Sequence, residues 1–144
     1  MILKTAWLGL SDPIAWGPVV ISKGRVELPN GLFLNYDNPR VDDSGELFYT
    51  YGKTAHKIYG AKFLENITQA LARIVVMNAS LRLADRGYQF VLQGHDELVF
   101  IVPTNDVDNA KAIIHTEMVR RPSWARDLPL TADVKSGPSY GDCR

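Results

Sequence analysis

Between residues 61 and 85 the chain has neither Gly nor Pro, and Leu64, Ile67, Leu71, Ile74, Val75 and Leu81 return at helical spacing. A helix of that length extends about 38 Å at 1.5 Å per residue. Arg86-Gly87 is its expected end, because Gly can take the left-handed conformation just past a helix. On both sides the pattern shortens to strand-like runs. Ahead of the helix, 18–22 and 25–28 flank the turn Lys23-Gly24. Leu32 to Tyr36 alternates apolar with mixed residues, and Glu46 to Tyr51 forms a further β-rich run. Behind it, Tyr88 to Gln93 and Leu98 to Val102 flank Gly94-His95-Asp96-Glu97, the pattern of a tight hairpin with a polar tip. Pro103 ends that hairpin, Thr104 or Asn105 can cap a second helix, and Arg120-Arg121 favours its C-terminal end before Pro122. The predicted class is α+β: antiparallel hairpins with a long amphipathic helix packed across them. The pattern gives a single domain with a β-rich lead-in over 1–54, the long helix over 60–87, and the hairpin over 88–102. A helix over 104–120 and a mostly irregular tail over 121–144, with room for one edge strand, complete it.

Composition narrows the picture modestly. At 144 residues, 46% hydrophobic and 22% charged, the chain suits one folded domain and is not of a disordered type. Sixteen basic residues balance sixteen acidic ones, so bulk positive charge cannot be what holds a nucleic acid; a basic surface must be local or come from another chain. Cys143 is the sole cysteine, which excludes an intramolecular disulfide and a cysteine-cluster zinc site. With no apolar run near the roughly 18 residues of a membrane span and no signal-peptide pattern, the cytoplasm is the expected location. Trp7, Trp16 and Trp124 are too scattered for a stacking platform and are expected in cores.

Two features could carry chemistry. The hairpin tip puts adjacent carboxylates, Asp96 and Glu97, beside the imidazole of His95. Carboxylate oxygens are hard ligands suited to Mg²⁺ or Mn²⁺, and a hairpin is a stiff support. On residue chemistry alone, however, Gly-His-Asp-Glu also reads as a solvated turn. The second feature is a stripe on the long helix: Lys62, Asn66, Gln69 and Arg73 fall within about 60° of one another at 100° per residue. Amide and basic donors without an acid suit phosphates, sugars or minor-groove edges, whereas the plain alternative is the polar face of an amphipathic helix. Asp42-Asp43-Ser44-Gly45 reads as a turn, and His56 and His115 as surface or packing residues.

Gln93-Gly94-His95-Asp96-Glu97-Leu98-Val99-Phe100 resembles motif C of the family A DNA polymerases. The run from Tyr59 through Lys62, Glu65, Asn66 and Gln69 to Arg73 resembles the long palm helix of that family's bacteriophage branch. Leu28 to Leu32, Pro122 to Ala125 and Leu128-Pro129-Leu130 are also similar to phage versions, so the resemblance covers the chain from about Pro18 onward. It implies that Asp96 is one of two carboxylates binding catalytic Mg²⁺. Glu97 would support the site and His95 would lie near the primer terminus, while Asn66 and Gln69 face the nascent pair or minor groove. Lys62 and Arg73 are looser transfers. Gly94 departs from the pattern, which has an apolar residue there.

Neither motif A, with the other metal-binding aspartate, nor motif B, which grips the incoming nucleotide, is found in the chain. The resemblance therefore implies a C-terminal palm portion, as the small subunit of a split polymerase or an excised piece, inactive alone. Its partners would be the part carrying motifs A and B, primer-template DNA and a deoxynucleoside triphosphate. An apolar face or edge left open by the absent strand would favour a complementary segment or self-association. The alternative is a palm-derived module that binds DNA or protein without catalysis. A free-standing nuclease has too few acids at the tip.

Overall fold

The computed structural model describes residues 2–143. It is α+β, with three antiparallel sheets and a long helix, and it divides into two compact units, residues 1–71 and 72–144.

The first unit opens with a short helix, α1 (Ile2–Leu8), absent from the sequence expectation. Four strands follow as an antiparallel meander: β1 (Ile14–Trp16), β2 (Val19–Ser22), β3 (Arg25–Glu27) and β4 (Phe33–Asn35). Alternation puts Val19 and Ile21 of β2 in the core while Val20 points outward, as the two-residue period of a strand requires. A three-stranded sheet comes next: β5 (Asp37–Val41), β6 (Leu47–Tyr51) and β7 (Thr54–Ile58). The Asp42 carboxylate closes its first turn by accepting from the backbone N–H groups of Ser44 and Glu46 at 3.0 and 2.8 Å, so this segment is structural, as its sequence suggested. Buried Ala6, Trp7, Val19, Ile21, Val26, Leu28, Tyr36, Ile58 and Ile67 make the unit's core. Trp7 sits edge-on to Tyr36 and Phe63, at centroid separations of 5.8 and 6.3 Å.

The long helix, α2 (Gly60–Asp85), gives its first turns to this unit and the rest to the second. Its end is a complete Schellman motif: Gly87 (φ +88°) donates its N–H to the Ala84 carbonyl at 2.9 Å, and Tyr88 donates to Leu83, also at 2.9 Å. The reversal delivers the chain into a two-stranded hairpin, β8 (Phe90–Gln93) and β9 (Leu98–Phe100). A 3-10 turn (Thr104–Asp106) leads into α3 (Val107–Met118). Leu83, Ala110 and Ile114 form the second core, with Tyr88, Phe100, Val102, Ile113, Met118 and Val134 packed against it. The Tyr88 hydroxyl donates to Asp106 at 2.7 Å and holds the hairpin's entry against the start of α3.

Several expectations are corrected. Leu64, placed on the core stripe of α2, is 48% exposed, and Leu81 is exposed too; Ile67 and Ile74 carry the burial instead. Trp7 is buried, but Trp16 lies at the surface on edge strand β1. The tail has no strand among the described residues and ends in a 3-10 turn (Tyr140–Cys143). Among the described residues, no helix is long and apolar enough to cross a membrane.

Candidate functional site

The β8–β9 hairpin pairs Phe90 with Phe100, Leu92 with Val99 and Gln93 with Leu98, and a bulge between Phe90 and Leu92 accommodates Val91. Gly94 donates its N–H to the Glu97 carbonyl at 3.0 Å, which leaves His95 and Asp96 as the two residues of the bend. Both side chains are exposed, and neither forms an ion pair among the described residues. Glu97, the next residue, behaves differently. Its Oε2 accepts a 2.9 Å hydrogen bond from the hydroxyl of Tyr140 in the C-terminal turn. Both consecutive acids are exposed, and they differ in that Glu97 is engaged by a hydrogen bond from Tyr140. The hairpin is tied to the second half of α2 through the Gln93 side-chain amide, which lies 3.4 Å from the Met77 sulfur. Around the strands, Val91, Leu92 and Ile101 are 59%, 52% and 80% exposed, and among the described residues no third strand pairs with either edge.

The helix stripe is less simple than its spacing suggests. Glu65 lies within it: Lys62 Nζ and Gln69 Nε2 each lie 3.2 Å from the Glu65 carboxylate. The expected acid-free donor face is therefore corrected, and the i, i+3 and i, i+4 offsets from Lys62 and to Gln69 already contained that signal. Asn66 is half-buried and donates to the Tyr36 hydroxyl at 3.1 Å, which ties it to the aromatic core of the first unit. Burial is also what pushes the Tyr36 hydroxyl above its ordinary pKa, with the Asn66 hydrogen bond acting in the opposite sense. Arg73 is exposed and free of ion pairs among the described residues.

The donor set bears on the expected Mg²⁺. Asp96 offers the hard oxygen that Mg²⁺ prefers, and a Mg²⁺ site commonly uses one or two carboxylates with waters and substrate phosphates. No group of three His, Cys, Asp or Glu among the described residues could hold a metal ion. Asp96 could supply one ligand of such a site, and the remaining ligands would have to come from elsewhere.

Sequence reasoning passed over a second ionic centre. Glu117 on α3 is buried, and Arg82 reaches it twice, with Nε 2.6 Å from its carboxylate and a terminal nitrogen 2.7 Å from its carbonyl. Arg86 approaches the other oxygen at 2.9 Å and Arg120 lies at 3.7 Å. The Arg82 hydrogen bond, joined by the charges of Arg82, Arg86 and Arg120, lowers the carboxyl's pKa against the opposing push of burial. This knot binds the end of α2 to the end of α3.

Comparison with known proteins agrees with a resemblance to DNA polymerases. The chain is 38% identical over 120 residues to the DNA polymerase of Bacillus phage SP02, a match over 75% of this chain and 18% of that protein. It is 26% identical over 122 residues to DNA polymerase I of Rhizobium leguminosarum, across 83% of this chain and 12% of that protein. The chain thus spans less than a fifth of the length of either relative. No family model and no solved structure matches. By sequence, the chain is homologous to a segment of the phage-type DNA polymerases.

Proposed function

We propose that this chain supplies the motif C part of a family A polymerase palm, with Asp96 as one of the carboxylates that hold catalytic Mg²⁺. The observation that carries this reading is Asp96 itself, exposed and without an ion pair among the described residues, at the bend of a stiff hairpin whose sequence resembles motif C. The reaction is template-directed nucleotidyl transfer: a primer 3′-hydroxyl attacks the α-phosphate of a deoxynucleoside triphosphate and pyrophosphate leaves. When bound, Mg²⁺ supplies positive charge to the attacking and leaving oxygens. Asp96 holds its ligand oxygen outward, Glu97 and His95 shape the floor of the site, and Lys62, Asn66, Gln69 and Arg73 line the helix that meets the duplex. Of these four, Arg73 has its charge available for phosphate, whereas Asn66 acts through the wall it builds with Tyr36. A second carboxylate and the nucleotide-gripping residues come from a segment carrying motifs A and B, in this or another chain. The open apolar edge of the hairpin is suited to receive it.

Primer extension tests the proposal. The chain is mixed with a segment carrying motifs A and B and supplied with Mg²⁺, and each piece is also assayed alone. Extension only in the mixture, abolished by Asp96→Asn, is the expected result. A mixture that binds DNA but never extends a primer points to a binding module, and DNA cleavage by this chain alone points to a nuclease.

A further inference from the structure

The two acids at the hairpin tip differ in one respect that motif C does not explain: something outside the hairpin holds one of them. Tyr140 lies 43 residues beyond Glu97, and its hydroxyl donates to Glu97 Oε2 at 2.9 Å. The segment presenting it is internally braced, since Ser139 Oγ donates to Asp142 Oδ2 at 2.6 Å and the Asp142 N–H returns to the Ser139 carbonyl at 3.1 Å. Gly94 lies against the same side chain. A methyl group built on Gly94 would lie 3.5 Å from both Cβ and Oε2 of Glu97, ordinary van der Waals contact, so the Glu97 side chain borders the space into which a longer residue-94 side chain would extend. The oxygen that adjoins Gly94 is the oxygen that Tyr140 holds.

We infer that Tyr140 is a positioning residue: it keeps the Glu97 carboxylate beside Gly94, so that Asp96 is the unengaged carboxylate of the hairpin tip. The inference rests on the polymerase reading for its consequence, though not for its geometry. A side chain that branches beyond Cβ at position 94 would crowd the adjoining Glu97 carboxylate and push it away from Tyr140, whereas a lone methyl would only touch it. Loss of the Tyr140 hydroxyl releases Glu97 to compete for the same cation or the same water as Asp96. Gly94 and Tyr140 are two halves of one device, and changing either has the effect of changing both.

The test has two arms. In the full chain, backbone hydrogen exchange at Asp142 and Cys143 is compared for wild type, Tyr140→Phe, Gly94→Val, Glu97→Ala and the Tyr140→Phe/Gly94→Val pair. Each single change is expected to speed exchange by about threefold to tenfold, the equivalent of one lost hydrogen bond, and the pair by no more than either alone. Unchanged exchange in Tyr140→Phe, or additive effects in the pair, overturns the link whether or not the protein extends primers. In the polymerase assembled with motifs A and B, Tyr140→Phe is expected to lower kcat by about threefold to tenfold and raise the Mg²⁺ needed for half-maximal rate, with KM for the nucleotide unchanged. A kcat and Mg²⁺ dependence equal to wild type overturn the positioning role. If the wild-type assembly extends no primer, that role falls with the polymerase reading, and the exchange arm still decides the contact.

Discussion

Neighbouring carboxylates at the hairpin tip differ in their partners. Asp96 faces solvent, while Glu97 is claimed by Tyr140. Asp96→Asn keeps the side chain's size and removes its charge; in the assembled polymerase it is expected to cost about 10³-fold or more in primer extension, since several kcal/mol of charge stabilisation depend on that ligand. Circular dichroism should show an unaltered fold, because the side chain is exposed at the bend. Glu117 is the opposite case. Glu117→Gln leaves Arg82 and Arg86 facing a neutral amide and should destabilise the chain by about 2–3 kcal/mol in urea titrations, less than the roughly 3–5 kcal/mol of a broken fully buried pair because Arg86 and Arg120 are half in water. The pH dependence follows from the lowered pKa. The contribution of Glu117 is complete above its ordinary value of 4.5 and is lost as pH falls below that value through the depressed folded-state one. Acid titration of wild type against Glu117→Gln should therefore converge at low pH.

At the scale of elements, the signals that were legible in the chain were those with a local cause. Gly87 ends α2 where a helix needs a left-handed residue, and the long Gly- and Pro-free run before it is helical throughout. Gly87→Ala should cost about 1 kcal/mol of stability in thermal or urea unfolding, and more if the Schellman bonds are lost with it. The hairpin was legible from two β-rich runs around a polar tip. What escaped was set by distant partners. Whether Leu64 or Ile67 faces a core depends on which face the β-strands meet, and whether Trp16 is covered depends on β1 being an edge. Likewise, the Tyr140–Glu97 bond joins residues whose separation of 43 positions carries no periodicity. Helix spacing grouped Lys62, Asn66, Gln69 and Arg73, yet Glu65 borders that stripe at i+3 from Lys62 and i−4 from Gln69 and takes up their donors. The unpaired hairpin edges give one more expected outcome: the double change Val91→Lys/Ile101→Lys should reduce self-association in sedimentation experiments if those edges pair between copies.

Over the whole molecule, two cores stand on their own residues, Trp7, Ile21, Val26 and Tyr36 in one and Leu83, Ala110 and Ile114 in the other. The similarity to phage-type polymerases was visible from about Pro18 onward, and nothing in the first 17 residues suggested a purpose. The structure supplies one at Gly24, which sits at φ +60° in the β2–β3 turn. Its N–H donates to the Trp7 carbonyl at 2.9 Å and its carbonyl accepts from the Tyr36 N–H at 2.7 Å. A methyl group there would come within 2.5 Å of the Tyr36 oxygen, so any replacement pries open a three-way junction of backbone. The leading helix is consequently a wall of the first unit, and a version trimmed to begin at Pro18 would leave an indole-sized hollow beside Tyr36 and Phe63. Such a protein should bind hydrophobic dyes and precipitate at concentrations where the full chain stays clear.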